Sequence, residues 1–201
     1  HNFTHLPYVG PQTDSTYHSI PDFSFVNQFN DTINQSDYEG NIYLANFIFT
    51  TCPNICPLMT YNMRRVQQKM AQYPDFMILS HSVFPEHDTP EVLLEYANNM
   101  EADLSNWNFV TGNRADIYSI AKFYFVNVME DSTAQGGFLH SEYFVLVDKE
   151  GRIRARNDDN GNNIGVYDGT DDYEVGLLID DIKVLMAEYS LAKKDKDESK
   201  R

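Results

Sequence analysis

The sequence predicts an α/β fold in which helices flank a central mixed β-sheet. Apolar runs of strand length alternate with stretches of helical periodicity, in the order strand, strand, helix, strand, helix, short strand, helix, hairpin, helix. The chain has 201 residues, 42% of them hydrophobic, which is enough for one sizeable core. We therefore expect one domain over residues 21–191, between an irregular lead-in at residues 1–20 and a charged, disordered tail at residues 192–201.

The strands are predicted from apolar runs and turn signals. Residues 23–26 alternate apolar and polar side chains, as a half-buried strand does, and would form an N-terminal β extension of the sheet. Residues 42–49 and 76–83 are almost continuously apolar, which is typical of strands that are buried on both faces. Residues 107–112 predict a short strand and turn. Residues 143–155 predict a hairpin around the turn Asp-Lys-Glu-Gly.

Helical periodicity follows the second, third and fourth of these strands and returns at the end of the chain. The first helix is marked by apolar residues spaced four, three and four apart: Met59, Met63, Val66 and Met70. This spacing favours core packing over metal ligation for the methionines. Residues 88–91 predict the start of the second helix through a capping residue and an early proline. The third helix is expected over residues 114–123 and the last over residues 172–191.

The chain has two cysteines, Cys52 and Cys56, where a buried strand gives way to a helix. A thioredoxin fold places its reactive pair at this point, so the predicted fold is thioredoxin-like. The start of a helix also stabilises a thiolate through its unpaired amides and dipole. Two thiolates at this spacing can hold one metal ion or close a disulfide. The spacing alone does not separate these two functions.

A soft ion such as Cu(I) favours thiolates, and an imidazole can complete a three-coordinate site. Structural zinc normally takes four ligands. The histidines of the chain are His1, His5, His18, His81, His87 and His140. His140 follows a glycine-containing loop and precedes a strand, from where it could swing toward the cysteines. For each histidine taken alone, a surface or hydrogen-bonded role is the simpler interpretation.

The composition excludes some classes of function. The formal net charge is −15, from 30 acidic and 15 basic residues, and such a surface disfavours binding to nucleic acid or anionic lipid. No segment approaches the ~18 consecutive apolar residues of a membrane helix. The chain opens with His1 rather than Met, and we expect that a signal peptide or membrane anchor has been removed.

A set of motifs occurs in a specific order along the chain. Residues 47–57 read FIFTTCPNICP and residues 82–93 read SVFPEHDTPEVL, followed by Thr111-Gly112, His140-Ser141 and residues 148–151. Together these motifs resemble the SCO/SenC/PrrC family of copper chaperones. The resemblance extends from about residue 21 to residue 185. The ordered set is specific, although none of its pieces would be so alone.

The resemblance implies a thioredoxin-like domain that binds one Cu(I) or Cu(II) ion through Cys52, Cys56 and His140. It implies a metallochaperone rather than an enzyme. Such a protein delivers copper to the dinuclear centre of cytochrome c oxidase subunit II, or reduces the cysteines of that subunit; another extracytoplasmic copper acceptor is also open. The expected location is periplasmic or otherwise extracytoplasmic, anchored to the inner membrane by the missing N-terminal segment. The expected state is a monomer or weak dimer.

The chain departs from the family at two positions. Phe84 stands where the family usually has Asp, and His87 stands where it commonly has Arg. Loss of the acidic residue leaves the three ligands in place, but it could alter copper affinity or the choice of partner. We expect surface roles for His87 and His81, with an extra metal ligand as the alternative.

Other functions remain open from the sequence. Cys52 and Cys56 could be the redox pair of an extracytoplasmic thiol-disulfide oxidoreductase or redox sensor, in which one thiolate attacks a partner disulfide. The usual redox pair has two intervening residues and this one has three, which argues mildly against that function. A thioredoxin-fold peroxidase is a more distant alternative. A purely structural disulfide is the simplest one.

Overall fold

A mixed β-sheet flanked by helices forms the centre of the computed structural model, which describes residues 5–134, 137–139 and 141–200. The strands are β1 Ser24–Asn27, β2 Thr32–Asn34, β3 Ile42–Ile48, β4 Phe76–Ser82, β5 Trp107–Thr111, β6 Met129–Glu130, β7 Phe138–Leu139, β8 Tyr143–Val147 and β9 Tyr167–Asp168. The helices are α1 Ile55–Lys69, α2 Pro90–Asn99, α3 Arg114–Phe123 and α4 Asp172–Glu198. This architecture confirms the predicted fold class.

The main sheet has seven strands in the order β2-β1-β5-β4-β3-β8-β9. Strands β3 and β5 run parallel to β4, whereas β8 pairs antiparallel with β3, and β1 pairs antiparallel with β5. All seven residues of β3 are buried, as its continuous apolar sequence predicts. Because β3, β4 and β5 are parallel, the loops that follow them meet at one edge of the sheet. The cysteine loop is one of these loops.

Helix α1 carries Cys56, follows Cys52, and packs on the core. Three apolar residues of α1 at helical spacing and the residue that follows the helix are fully buried: Met59, Met63, Val66 and Met70. The predicted core role of the two methionines nearest the cysteines is therefore confirmed. The helix begins at Ile55, so Cys56 is its second residue and Pro57 its third.

Helix α4 is longer than predicted. It continues through Glu198 and covers most of the segment that we expected to be a disordered tail. Lys193 and Lys194 face Asp197 and Glu198 at four-residue spacing, and such opposite charges support an exposed helix. The division of the chain into lead-in, domain and tail stays a prediction. Within residues 5–134, 137–139 and 141–200, no helix is long and apolar enough to cross a membrane.

The predicted hairpin after β8 forms only in part. The chain turns back as expected, with the Asp148 N–H donating to the Arg152 carbonyl oxygen at 2.9 Å. The return arm makes single bridges with Val147 on one side and with Ser19 and Tyr8 on the other, instead of a continuous ladder. The strand that pairs with β8 in the sheet is β9, whose two residues are too few to show periodicity in the sequence.

The lead-in segment is tied to the domain by Arg154, which is fully buried. Its guanidinium donates to the Leu6 carbonyl oxygen at 2.8 Å, to Asp148 at 3.1 Å and to both oxygens of Glu188 at 2.6 and 2.7 Å. It also lies 4.2 Å from the ring centroid of Tyr8. Burial opposes the charged form, but Glu188 and Asp148 outweigh it, so the pKa of Arg154 is raised. One side chain thus joins the lead-in, the β8 turn and α4.

Candidate metal centre

The two cysteines meet where β3 ends and α1 begins. The backbone N–H of Cys56 donates to Sγ of Cys52 at 3.4 Å. Cys52 and Cys56 do not form a disulfide, and they are 6% and 0% exposed. The fold therefore brings the two predicted sulfur ligands together at the carboxyl ends of the parallel strands, where solvent hardly reaches them.

A buried carboxylate, Asp88, fastens the cysteine loop to the end of β4. Its Oδ2 accepts hydrogen bonds from the Thr50 N–H at 3.1 Å and from Ser82 Oγ at 2.7 Å. Its Oδ1 accepts from Thr50 Oγ1 at 2.5 Å and interacts with His87 Nδ1 at 2.9 Å. Since Thr50 lies two residues before Cys52, this carboxylate fixes the path of the loop that presents the thiols.

The surroundings of Cys56 favour its protonated form. Hydrogen bonding with Cys52, burial, and the negative charges of Cys52 and Asp88 raise the pKa of the Cys56 thiol, and a backbone hydrogen bond with Phe49 lowers it only in part. The sequence predicted that the helix start would stabilise a thiolate here. For Cys56 that effect is outweighed by the hydrogen bond with Cys52 and by burial, to which the negative charge of Asp88 adds.

Tyr96 of α2 contacts α1 near the cysteine pair. Its hydroxyl forms a hydrogen bond of 2.9 Å with Oγ1 of Thr60, which lies one helical turn after Cys56. Burial first, and then the negative charges of Cys56, Cys52 and Asp88, raise the pKa of Tyr96. The phenol of Tyr96 therefore stays neutral.

His140, the predicted third ligand, lies outside the described residues. The chain before it is described: β7 pairs antiparallel with β6, and Glu130 of β6 forms an ion pair with Arg114. Arg114 also binds Glu86 through two hydrogen bonds of 2.8 and 2.7 Å. Arg114 thus joins the β6–β7 hairpin to the loop that contains Asp88. Among the residues whose positions are described, no group of three His, Cys, Asp or Glu side chains forms a metal site.

The two other candidate histidines, His81 and His87, lie in different environments. His81 is fully buried and stacks on Phe47 with ring centroids 4.4 Å apart, so its predicted surface role is wrong. Burial lowers the pKa of His81 to about 4, despite a 3.0 Å hydrogen bond to the Asn46 carbonyl oxygen. The side chain of His87 is 44% exposed, which confirms its predicted surface position. Its contact with Asp88 was not predicted.

Replacing Asp88 with Asn is expected to lower the pKa of the Cys56 thiol, because a nearby negative charge disfavours the thiolate. The thiolate then forms at lower pH, and the pH profile of Cys56 alkylation by iodoacetamide shifts in the same direction. Reduced, metal-free protein with mass-spectrometric readout gives this profile. Glu86→Gln is the matched control, since it removes an exposed carboxylate from the same loop and is expected to leave the profile in place. An unshifted Asp88→Asn profile would contradict the prediction.

Comparison with known proteins places these features in a family. The family model described as SCO1/SenC matches residues 11–173. The chain belongs to the SCO1/SenC family. The match includes Cys52, Cys56, Asp88 and His140, so the site residues fall inside the family region.

The relatives cover most of the chain. The SCO1 protein homolog of Bacillus subtilis is 30% identical over 172 residues, which is 85% of this chain and 84% of the relative. A SCO1/SenC family lipoprotein from Bacillus anthracis superposes with a TM-score of 0.72 and 29% identity over 84% of this chain and 95% of that one. BsSco, a Sco family cytochrome c oxidase assembly protein with a disulfide switch, superposes with a TM-score of 0.71 and 30% identity. The match covers 89% of this chain and 98% of that one.

Structures of more distant SCO1/SenC relatives contain copper. Copper-bound ScoI of Bradyrhizobium japonicum superposes with a TM-score of 0.60 and 23% identity, over 69% of this chain and 88% of that one. At this identity the likeness shows a common fold. Together with the nearer relatives, it confirms the architecture that the element order predicts.

Proposed function

We propose that this SCO1/SenC protein is a copper metallochaperone that holds one Cu(I) or Cu(II) ion through Cys52, Cys56 and His140. The observation that carries the proposal is the pair of adjacent, buried thiols at the start of α1. Thiolates are soft ligands that suit copper, and an imidazole completes a three-coordinate site. The copper-bound Sco relatives support copper as the cargo. The family resemblance supports His140 as the third ligand.

The described residues fit copper binding in two ways. Binding of the ion replaces the thiol protons of Cys52 and Cys56, which pass to solvent as the copper–sulfur bonds form. The carboxylate of Asp88, which opposes a bare thiolate, is close enough to favour a cation at the same position. Burial of the sulfurs limits contact of the bound ion with water and with dissolved oxidants.

We further propose an extracytoplasmic acceptor, with cytochrome c oxidase subunit II as the first candidate. The description of BsSco as a member of a family of cytochrome c oxidase assembly proteins supports this acceptor. The Bacillus anthracis lipoprotein supports a membrane-associated, extracytoplasmic location. The net charge of −15 disfavours nucleic acid as a partner. The monomeric or weakly dimeric state stays a prediction.

Anaerobic copper titration tests the proposal. We expect reduced protein to bind one copper per chain and to show a strong sulfur-to-copper charge-transfer band with Cu(II). Protein oxidised to the Cys52–Cys56 disulfide is expected to bind none at this site, because a disulfide has no thiolate to offer. Equal copper uptake by the reduced and oxidised forms would place the copper elsewhere and overturn the proposal.

A thiol-disulfide oxidoreductase or redox sensor is the second candidate function. The disulfide switch described for BsSco and the adjacent thiols of this chain favour it. The raised pKa of Cys56 opposes it, since the thiolate is the attacking species. Insulin reduction at thioredoxin-like rates by the metal-free protein would favour this second function over the first.

A further inference from the structure

The imidazole of His87 is exposed on one side and anchored on the other. Its Nδ1 lies 2.9 Å from Oδ1 of Asp88, and its ring stacks on Phe84 with centroids 5.4 Å apart and an interplanar angle of 21°. In the neutral ring, a carboxylate at this distance accepts a hydrogen bond from Nδ1–H, and the lone pair of Nε2 is then open to a ligand. With 44% of the side chain exposed, this imidazole is oriented as metal-binding histidines are.

The same carboxylate connects His87 to the thiol site. Oδ1 of Asp88 is shared between His87 Nδ1 and Oγ1 of Thr50, at 2.9 and 2.5 Å. Thr50 lies two residues before Cys52. The thiols themselves are nearly closed to solvent, with Cys52 6% and Cys56 0% exposed. An ion that arrives from solvent can therefore meet the imidazole of His87 before it meets both sulfurs.

We propose that His87 is an entry ligand for copper. Nε2 of His87 coordinates the incoming ion at the surface, and the ion then moves by ligand exchange to Sγ of Cys52 and Cys56. The copper–nitrogen bond breaks as the copper–sulfur bonds form, the two thiol protons pass to solvent, and the oxidation state does not change. Imidazole binds copper readily. This inference rests on the proposed function and adds the route by which the site is filled.

Phe84 contributes to this arrangement. Its ring stacks on that of His87 and so limits the orientations open to the imidazole.

His5 provides a matched control within the chain. It is a surface histidine, 52% exposed, whose Nδ1 lies 3.1 Å from a carboxylate, Glu188. That carboxylate binds Arg154 and the N–H of Leu6 rather than the cysteine loop. His5 therefore offers an exposed imidazole with the same type of support but without a thiol pair behind it.

Stopped-flow mixing tests the entry ligand. Reduced wild-type protein, His87→Gln and His5→Gln are mixed anaerobically with Cu(II) in a weakly coordinating buffer, and the charge-transfer band is followed. We expect His87→Gln to form the band roughly tenfold more slowly, at the low end of the range by which local attraction raises the on-rates of ions. Its final band and its uptake of one copper per chain should match the wild type. His5→Gln should match the wild type in both rate and band.

Three results would overturn the entry role. A His87→Gln rate within twofold of the wild type would show that copper reaches the thiols without this imidazole. A weaker or altered final band would make His87 a ligand of the filled site or a structural residue. An equal slowing by His5→Gln would indicate unspecific capture by surface histidines. If the wild type forms no charge-transfer band, the proposed function itself fails, and this outcome is distinct from the other three.

Discussion

Replacing Arg154 with Met is expected to lower the free energy of unfolding by about 3 kcal/mol or more, the cost of breaking a buried ion pair by removing one partner. The substitution keeps an apolar side chain of similar length but leaves buried acceptors without their donor. Asp148 and Glu188 lose their shared guanidinium, and the Leu6 carbonyl oxygen loses a hydrogen bond. Asp148 keeps its contact with Arg152, which places the expected loss at the lower end of the range for such pairs.

Urea denaturation of the wild type, of Arg154→Met and of a control variant measures this change in the free energy of unfolding. The matched control is Arg65→Met, which breaks the ion pair between Arg65 and Asp172. The side chain of Arg65 is 41% exposed and that of Asp172 is 84% exposed. Exposed pairs contribute about 1 kcal/mol or less, so the control should remain close to the wild type. If the two variants lose similar stability, the buried Arg154 contacts do not hold the lead-in on the domain as we infer.

Replacing His140 with Ala is expected to weaken copper binding by more than about 100-fold, since loss of outer-shell partners alone costs up to that much. The reduction potential of the Cys52–Cys56 pair should change little, because the imidazole has no part in forming the disulfide. Competition with a chelator of known affinity gives the first quantity, and equilibration with a dithiol buffer gives the second. Both measurements are made on the same preparation.

Two further variants sharpen this test. The double variant Cys52→Ser and Cys56→Ser should lose copper binding at the site. His18→Ala should leave it unchanged, because the ring of His18 is used in a 2.7 Å hydrogen bond to the Phe123 carbonyl oxygen. A His140→Ala protein that binds copper normally but loses disulfide reductase activity would show that the metallochaperone assignment is wrong.

The long elements of the fold were readable from sequence because burial controls their composition. The buried strands β3 and β4 each end one residue before the predicted boundary, and α3 coincides with its prediction. The pairs β6–β7 and β8–β9 were not predicted, since strands of two residues carry no periodic signal. Their positions depend on contacts between distant parts of the chain.

Only the part of the candidate site that lies within one short segment could be predicted from the sequence. Cys52 and Cys56 lie in one short segment, whereas Asp88 was read as part of a helix start. Thr89 is the capping residue of that helix, and Asp88 turns inward to bind Thr50. His81 could have been recognised as a core residue, because it lies within a strand whose composition already predicts burial on both faces.

The raised pKa of Cys56 has a consequence for the metal-free protein. A sulfur that retains its proton is a poor nucleophile, so Cys56 is expected to react slowly with peroxides and disulfides while no metal is bound. Copper binding releases protons from the thiols, so a higher pH favours the copper-bound form. The carboxylate of Asp88 adds to the raised pKa of the Cys56 thiol, and the same negative charge favours a cation at this position.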